Sequence, residues 1–109
     1  MKTKSFARAL EQRFEVGDRA GGRALMRRRR VRGKASGPWF EVEVRAPEGT
    51  FDVLLAPDDR AVTMSCPCAS FGARGACAHA WASLLVLDRH LSACQRIADA
   101  REHRDGGVG

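Results

Sequence analysis

Three cysteines and one histidine lie close together in the chain and form its strongest chemical signal. They occur as Cys66-Pro67-Cys68 and, after eight intervening residues, Cys77-Ala78-His79. Thiolate sulfur and imidazole nitrogen are the ligands that Zn²⁺ prefers, and four of them complete a tetrahedral structural site. The sequence therefore predicts one structural zinc ion bound by Cys66, Cys68, Cys77 and His79.

The spacing of these ligands predicts the elements that carry them. In an extended segment residues i and i+2 point the same way, so Cys66 and Cys68 can bind one ion from the end of a strand. On a helix the same two positions diverge by about 200°, so Cys77 is expected just before a helix and His79 in its first turn. Phe71 and residues 72–75 are expected to form the connecting loop.

Other roles for the cysteines stay open at this point. They could be small buried hydrophobic residues or a redox pair, and a disulfide to Cys77 or Cys94 is conceivable in an oxidising compartment. The first residues lead into no apolar signal region, and no run of about 18 apolar residues is present. A cytoplasmic, reducing setting is expected, and it favours a metal over disulfides. Cys94 is expected to be buried on a helical stripe, whereas His90 and His103 are expected to be solvated.

The N-terminal third has a helical pattern at its start. Apolar Phe6, Ala9, Leu10 and Phe14 predict an amphipathic helix within residues 3–14, capped by Ser5 or Thr3. The glycines at positions 17, 21 and 22 are expected to break this pattern. Residues 24–29 fit either a short helical turn or a strand.

From Val31 the hydrophobic period becomes two, which is typical of strands with one buried face. Strands are expected around residues 31–35, 40–44, 51–55 and 62–64, and a helix that follows Cys77 and runs to about Asp99. The fold class is α+β: an antiparallel meander of three to four strands packs on the C-terminal helix, and zinc joins the last strand to that helix. The expected segments are residues 1–20 (helical), 21–50 (basic segment and first strands), 51–91 (zinc module) and 92–109 (helix end and disordered tail).

The positive charge is concentrated in the first third of the chain. The chain has a formal net charge of +6, but residues 1–34 hold 12 of the 19 basic residues and only 3 of the 13 acidic ones. Such a segment attracts phosphate backbones without reading base sequence. The alternative is an arginine-rich surface that is merely solvated. The residues expected to contact nucleic acid are Arg23, Arg27, Arg28, Arg29, Arg30, Arg32, Lys34 and Arg74.

The ligand pattern and its context resemble the SWIM-type zinc finger. Cys66-x-Cys68 and Cys77-x-His79 match the CxCxnCxH pattern of that family, with strands before the first cysteine and an apolar helix after the histidine. The resemblance is strongest over residues 51–91. It implies that a zinc ion is bound by a module that contacts DNA or other proteins, in bacteria either as a stand-alone protein or beside helicase-like ATPases.

The sequence does not predict an enzyme. Four protein ligands leave no open zinc position for water, no Asp or Glu lies between Met64 and Leu87, and no phosphate-binding loop or nucleophile elbow is present. The leading interpretation is non-specific binding of nucleic acid, most simply DNA. The second is an adaptor that docks on a helicase-like or other nucleic-acid-processing protein through Trp39, unless the N-terminal helix covers this side chain. A thiol redox sensor is a third class, and neither a membrane nor a small-molecule substrate is expected.

Overall fold

The computed structural model describes residues 5–58 and 61–108, with side chains described as far as Cys94. A four-stranded sheet in the order β1-β2-β3-β4 lies against a long C-terminal helix, so the predicted α+β class is confirmed. Every neighbouring pair of strands is antiparallel. The elements are α1 (Phe6–Leu10), a 3₁₀ turn (Glu11–Arg13), α2 (Val16–Arg27), β1 (Val31–Ser36), β2 (Trp39–Ala46), β3 (Gly49–Pro57), β4 (Val62–Ser65), α3 (Ala69–Arg74) and α4 (Ala78–Val108).

The core lies between one face of the sheet and α4. Most of the alternating residues that the sequence assigns to the buried face are almost fully excluded from solvent, as are the apolar residues at the start of α4. Phe51 and Met64 are only half-buried. Their burial removes apolar surface from water, which is the main source of stability in a domain of this kind. The central core residues are Phe40, Val42, Val44, Val53, Leu55, Ala80, Leu84 and Leu87.

The N-terminal helix is anchored to α4 by one carboxylate. Asp88 accepts hydrogen bonds from Ser5 Oγ at 2.8 Å and from the backbone N–H groups of Phe6 at 2.8 Å and Ala7 at 3.1 Å. Ser5 in turn caps α1 by accepting from the N–H of Arg8. The predicted helix and its Ser5 cap are thus present, although the helix is shorter than expected and Ala9 is exposed. Thr3 lies outside the described residues.

The sequence predicted that the glycines at positions 17, 21 and 22 break the helical pattern. This prediction is wrong, because α2 continues through all three. A Cβ atom at Gly22 would lie 2.7 Å from Trp81 Cδ1 and 2.9 Å from the carbonyl oxygen of Ala78. The missing side chain therefore lets α2 pack closely on the first turns of α4. Residues 24–29, which the sequence left open, form the end of α2 and the turn after it.

Helix α4 is longer than the sequence predicts. Its backbone is helical to Val108, past the expected end near Asp99, and Gly109 lies outside the described residues. Within the part of the chain that the structure describes, no helix combines the length and apolar character needed to cross a membrane.

Candidate metal centre and basic surface

The four predicted ligands come together where the sheet meets α4. Cys66 follows the last residue of β4, Cys68 caps the N-terminus of α3, Cys77 immediately precedes α4, and His79 is in the first turn of α4. Their ligand atoms all lie within 4.8 Å of one another. The segment between the two ligand pairs contains the short helix α3, not the irregular loop that the sequence predicted, and ends at Gly75 in a left-handed conformation.

The donor set fits a zinc ion in both chemistry and spacing. Cys66 Sγ and His79 Nδ1 are 3.8 Å apart, close to the separation of about 3.6 Å that follows from Zn–S and Zn–N bonds of about 2.3 and 2.1 Å at a tetrahedral angle. Cys66, Cys77 and His79 are buried, and Cys68 is half-buried. The cluster could hold one metal ion away from bulk water.

Backbone N–H groups point at two of the sulfurs. Phe71 donates to Cys68 Sγ at 3.4 Å, and Ala80 donates to Cys77 Sγ at 3.3 Å. Both donors lie in first turns of helices, where N–H groups have no partner within the helix. These contacts stabilise the anionic thiolate that a metal requires.

The histidine is held from two other sides. Its Nε2 lies 2.7 Å from Glu48 Oε1, and its ring stacks on Phe51 with centroids 4.4 Å apart and planes inclined by 23°. A carboxylate on the outer nitrogen fixes the tautomer and leaves Nδ1 as the metal-binding nitrogen. The orientation of His79 is therefore set by β3 and by the turn that precedes it.

Glu48 is the functional residue that sequence reasoning missed, and it qualifies the expectation that no carboxylate lies near the site. It belongs to the β2–β3 turn, far from the ligands in sequence. The antiparallel pairing of β3 with β4 points towards it, because β4 ends opposite Leu54 and runs in the direction of the start of β3, which Glu48 precedes. Since Glu48 contacts the histidine nitrogen away from the thiols, its position suits ligand orientation and not activation of a metal-bound water.

The ligand side chains share protons when no metal holds them. The Cys77 thiol donates to Cys66 and lowers the pKa of Cys66, while the same contact, together with burial, raises the pKa of Cys77 to about 12. Hydrogen bonds to Cys77 and then to Glu48 raise the pKa of His79 to about 9 against the opposing effect of burial. A metal ion that binds here must therefore displace protons.

The predicted nucleic-acid residues fall into three groups. Arg23 and Arg27 lie on α2, and residues 28–30 form the turn between α2 and β1; all of these side chains are exposed. Among the described residues, none of them forms an ion pair with a carboxylate. This first group is an uncompensated positive surface, which we call the basic turn.

The second group is on the outward face of the sheet. Arg32 and Lys34 are exposed on β1 and lie opposite Glu43 and Glu41 of β2, respectively. Lys34 Nζ is 3.7 Å from Glu41 Oε2. Asp52 of β3 lies opposite Glu43. This face of the sheet therefore carries both positive and negative side chains, and its positive potential is weaker than that of the basic turn.

The third group is Arg74 alone, and its charge is already engaged. Its two terminal nitrogens each lie 3.0 Å from a carboxylate oxygen of Asp18 on α2, and Glu15 is 3.5 Å away. The Arg74 hydrogen bond lowers the pKa of Asp18 despite the burial of this carboxyl group. Arg74 thus links α3 to α2 instead of projecting freely from a loop.

Two expectations about the remaining thiol and imidazoles differ from the structure. Cys94 is exposed and not buried, because α4 has passed the end of the sheet there; even Leu91, one turn earlier, is only half-buried. His90 is not fully solvated: its ring lies 5.0 Å from that of Phe40, and its Nε2 is 3.6 Å from Cys94 Sγ. The side chain of His103 lies outside the described residues.

Comparisons of the chain with protein-family models, with curated proteins and with solved structures found no match.

Proposed function

We propose that this chain is a zinc-binding module of the SWIM type that binds nucleic acid, DNA in the first instance, through its arginine-rich surface. The observation that carries the proposal is the convergence of three cysteines and one histidine on a single point between β4 and α4. Ligand identity and spacing support zinc over other divalent metals. The CxCxnCxH order of the ligands supports the family.

The metal is proposed to be structural, and the chain is proposed not to be an enzyme. Cys66, Cys68, Cys77 and His79 would fill all four positions of a tetrahedral ion, and a bound zinc would supply folding free energy by joining the sheet to α4. Structural zinc contributes on the order of 10–16 kcal/mol of apparent binding free energy in small zinc peptides. Glu48 supports this role because it orients His79 from outside.

Metal analysis of reduced, untagged protein tests the first half of the proposal. We expect one zinc ion per chain. We expect Cys77→Ser to lose the metal and the cooperative unfolding transition, whereas Cys94→Ser retains both because Cys94 is exposed and apart from the cluster. Metal-free protein with an unchanged thermal transition contradicts a structural zinc site.

Nucleic-acid binding is proposed to centre on the basic turn. Its arginines have no carboxylate partner among the described side chains, so counterion release on phosphate binding is not offset by the loss of internal ion pairs. Arg32 and Lys34 would add contacts at one edge of this surface, while Arg74 is occupied by Asp18. Among the side chains described, as far as Cys94, no helix presents Arg, Asn and Gln together for reading base edges, so binding without sequence preference is expected.

A salt titration with a labelled oligonucleotide tests the second half. If about six phosphates are neutralised, affinity should fall on the order of a thousandfold between about 50 and 200 mM salt. The combined change of Arg28, Arg30 and Arg32 to Ala should weaken binding and lower the salt slope by about three, with fold and metal content retained. The matched control removes three exposed arginines elsewhere, at positions 8, 13 and 89. Equal losses in both triple variants, or affinity independent of salt, contradict the proposal.

One observation favours the adaptor as a second function. Trp39 is 44% exposed at the start of β2, so no element of the described chain covers the indole ring completely. Exposed indole rings are enriched among the residues that dominate protein interfaces. Retention of a protein partner after nuclease treatment, and its loss with Trp39→Ala, would support an adaptor; retention by the variant would contradict it.

A further inference from the structure

The edge of the sheet formed by β1 is open. In the order β1-β2-β3-β4 this strand pairs only with β2. Its residues from Arg32 to Ser36 are all exposed. An uncovered edge strand of this length is a template on which another extended segment can form hydrogen bonds.

The register of β1 identifies the backbone groups that face this open edge. The N–H of Arg45 donates to the carbonyl oxygen of Arg30 at 2.8 Å. In an antiparallel ladder hydrogen-bonded pairs alternate along the strand, so Arg32, Lys34 and Ser36 bond to β2. The N–H and C=O groups of residues 31, 33 and 35 therefore point away from the sheet.

The two sides of this edge differ in chemistry. On the outward face, Arg32 and Lys34 are the charged residues of the edge strand itself, and Glu43 and Glu41 lie opposite them on β2, the inner neighbour. On the inward face, Gly33 lies against Phe40 and Val86, since a Cβ atom built there would be 2.6 Å from a carbon of each side chain. Val86 is only half-buried, so an added strand would meet apolar surface on this side.

A second copy of the chain does not fit this edge. Antiparallel pairing of β1 with itself would bring Arg32 and Lys34 of one chain opposite the same residues of the other, and like charges at facing positions destabilise a sheet. Charged residues on an edge are a known protection against such self-pairing. The same charges would pair favourably with carboxylates.

We propose that β1 binds an extended peptide segment of a partner protein in which acidic and apolar residues alternate, as a fifth strand of the sheet. Backbone hydrogen bonds to residues 31, 33 and 35 supply affinity, and the acidic side chains contact Arg32 and Lys34 while the apolar ones rest beside Val86. The inference does not rest on nucleic-acid binding, although Arg32 and Lys34 also belong to the proposed nucleic-acid surface. It gives the adaptor interpretation a partner of defined chemistry.

The test uses zinc-loaded, nucleic-acid-free protein and a terminally blocked, fluorescein-labelled peptide of about eight residues that alternates glutamate and valine. Fluorescence anisotropy should show saturable binding, and a lysine–valine peptide and a scrambled peptide should bind at least roughly tenfold more weakly. Hydrogen exchange should show new protection at the amides of residues 31, 33 and 35. Equal binding of the lysine peptide, no saturable binding, or protection confined to other strands overturns the proposal.

Ala35→Pro is the sharpest variant, because proline removes an N–H that faces the open edge and leaves the ladder with β2 intact. It should weaken peptide binding roughly tenfold or more, while the matched Ala35→Thr variant, which keeps the N–H, binds normally. Changing Arg32 and Lys34 together to Gln should abolish the preference for glutamate over lysine peptides. This second test remains valid even if the Ala35→Pro variant does not fold. Unchanged preference in this double variant contradicts the proposed charge pairing.

Discussion

At the residue scale, the metal cluster depends on a side chain that is not a ligand. Glu48 Oε1 contacts His79 Nε2 at 2.7 Å, and the ring of Phe51 stacks on a face of the imidazole. These contacts hold the imidazole in one orientation before any metal binds, with Nδ1 turned towards the thiols. Preorganisation of this kind raises the affinity of a site because less order is lost on binding.

We expect Glu48→Ala to lower zinc affinity about tenfold, at the lower end of the range for outer carboxylates because Glu48 is itself largely exposed. Competition with a chromogenic chelator measures the change. Asp52→Ala, which removes an exposed carboxylate from the outward face of β3, is the control and should leave the affinity unchanged. Equal affinities of the wild type and Glu48→Ala would mean that His79 needs no such support.

Arg29 is a second residue at which local chemistry is unusual. It has a φ of 56°, and the turn after α2 is closed by hydrogen bonds from the N–H of Arg29 to Met26 O and of Arg30 to Leu25 O. This is the helix-ending arrangement in which glycine normally occupies the left-handed position. A side chain there costs about 1 kcal/mol or more.

Arg29→Gly should therefore raise the free energy of unfolding by about 0.5–1 kcal/mol, while nucleic-acid affinity falls because one charge of the basic turn is lost. Urea unfolding and the salt titration measure the two effects. Arg29→Lys keeps both the charge and the strained backbone, so it should change neither quantity appreciably. A loss of stability on substitution by glycine would show that the Arg29 side chain makes a stabilising contact.

At the scale of elements, α2 shows how packing overrides local preference. Glycines at positions 17, 21 and 22 make α2 a poor helix in isolation, and the sequence accordingly predicted a break there. The helix persists because its backbone packs directly on the first turns of α4, where Ala78 and Trp81 leave no space for a Cβ at Gly22. The missing side chain that gives Gly22 a low helix propensity is also what allows α2 and α4 to pack closely.

Gly22→Ala should destabilise the protein by about 1–3 kcal/mol, the usual cost of overpacking, because two of the three nearest atoms belong to the α4 backbone and cannot move aside easily. Gly17→Ala is the matched control: nothing lies within 4 Å of its Cβ position, so it should stabilise α2 by up to about 1 kcal/mol. Chemical unfolding of both zinc-loaded variants compares them. Stabilisation by both substitutions would contradict the proposed packing.

At the scale of the whole molecule, the N-terminal helices and the metal centre form one unit. Helix α4 packs against α1, α2 and strands β1–β3. The Arg74–Asp18 ion pair adds a second connection, from α3, which lies between the two ligand pairs, to α2, which leads into the basic turn. The part of the chain that carries the candidate metal ligands therefore helps to position the basic turn.

This connection has a defined pH dependence. Because the pKa of Asp18 is below its ordinary value of 3.8 in the folded protein, the ion pair contributes stability that is complete above about pH 4 and is lost as the pH falls through the folded-state pKa. A double-mutant cycle of Asp18→Asn and Arg74→Gln should give a favourable coupling energy that is constant from pH 8 to 5. A coupling energy that declines between pH 8 and 5 would contradict this assignment.

Local sequence patterns were enough to predict the four candidate ligands, the alternating faces of β2 and β3, and the apolar stripe at the start of α4. Each of these depends on residues close together in the chain, where ligand chemistry and hydrophobic period act locally. The exposed position of Trp39 also follows from alternation, since it lies on the face opposite Phe40.

Four features could not be predicted from local patterns because they depend on tertiary packing. They are the helicity of α2, the contact of Glu48 with His79, the pairing of Arg74 with Asp18 and the exposure of Cys94. Each of these depends on which surfaces meet across long separations in sequence. A glycine supports a helix when another helix packs against it, and a cysteine on an apolar stripe is buried only as far as the sheet extends. Such properties arise from the packing of elements, which no local pattern encodes.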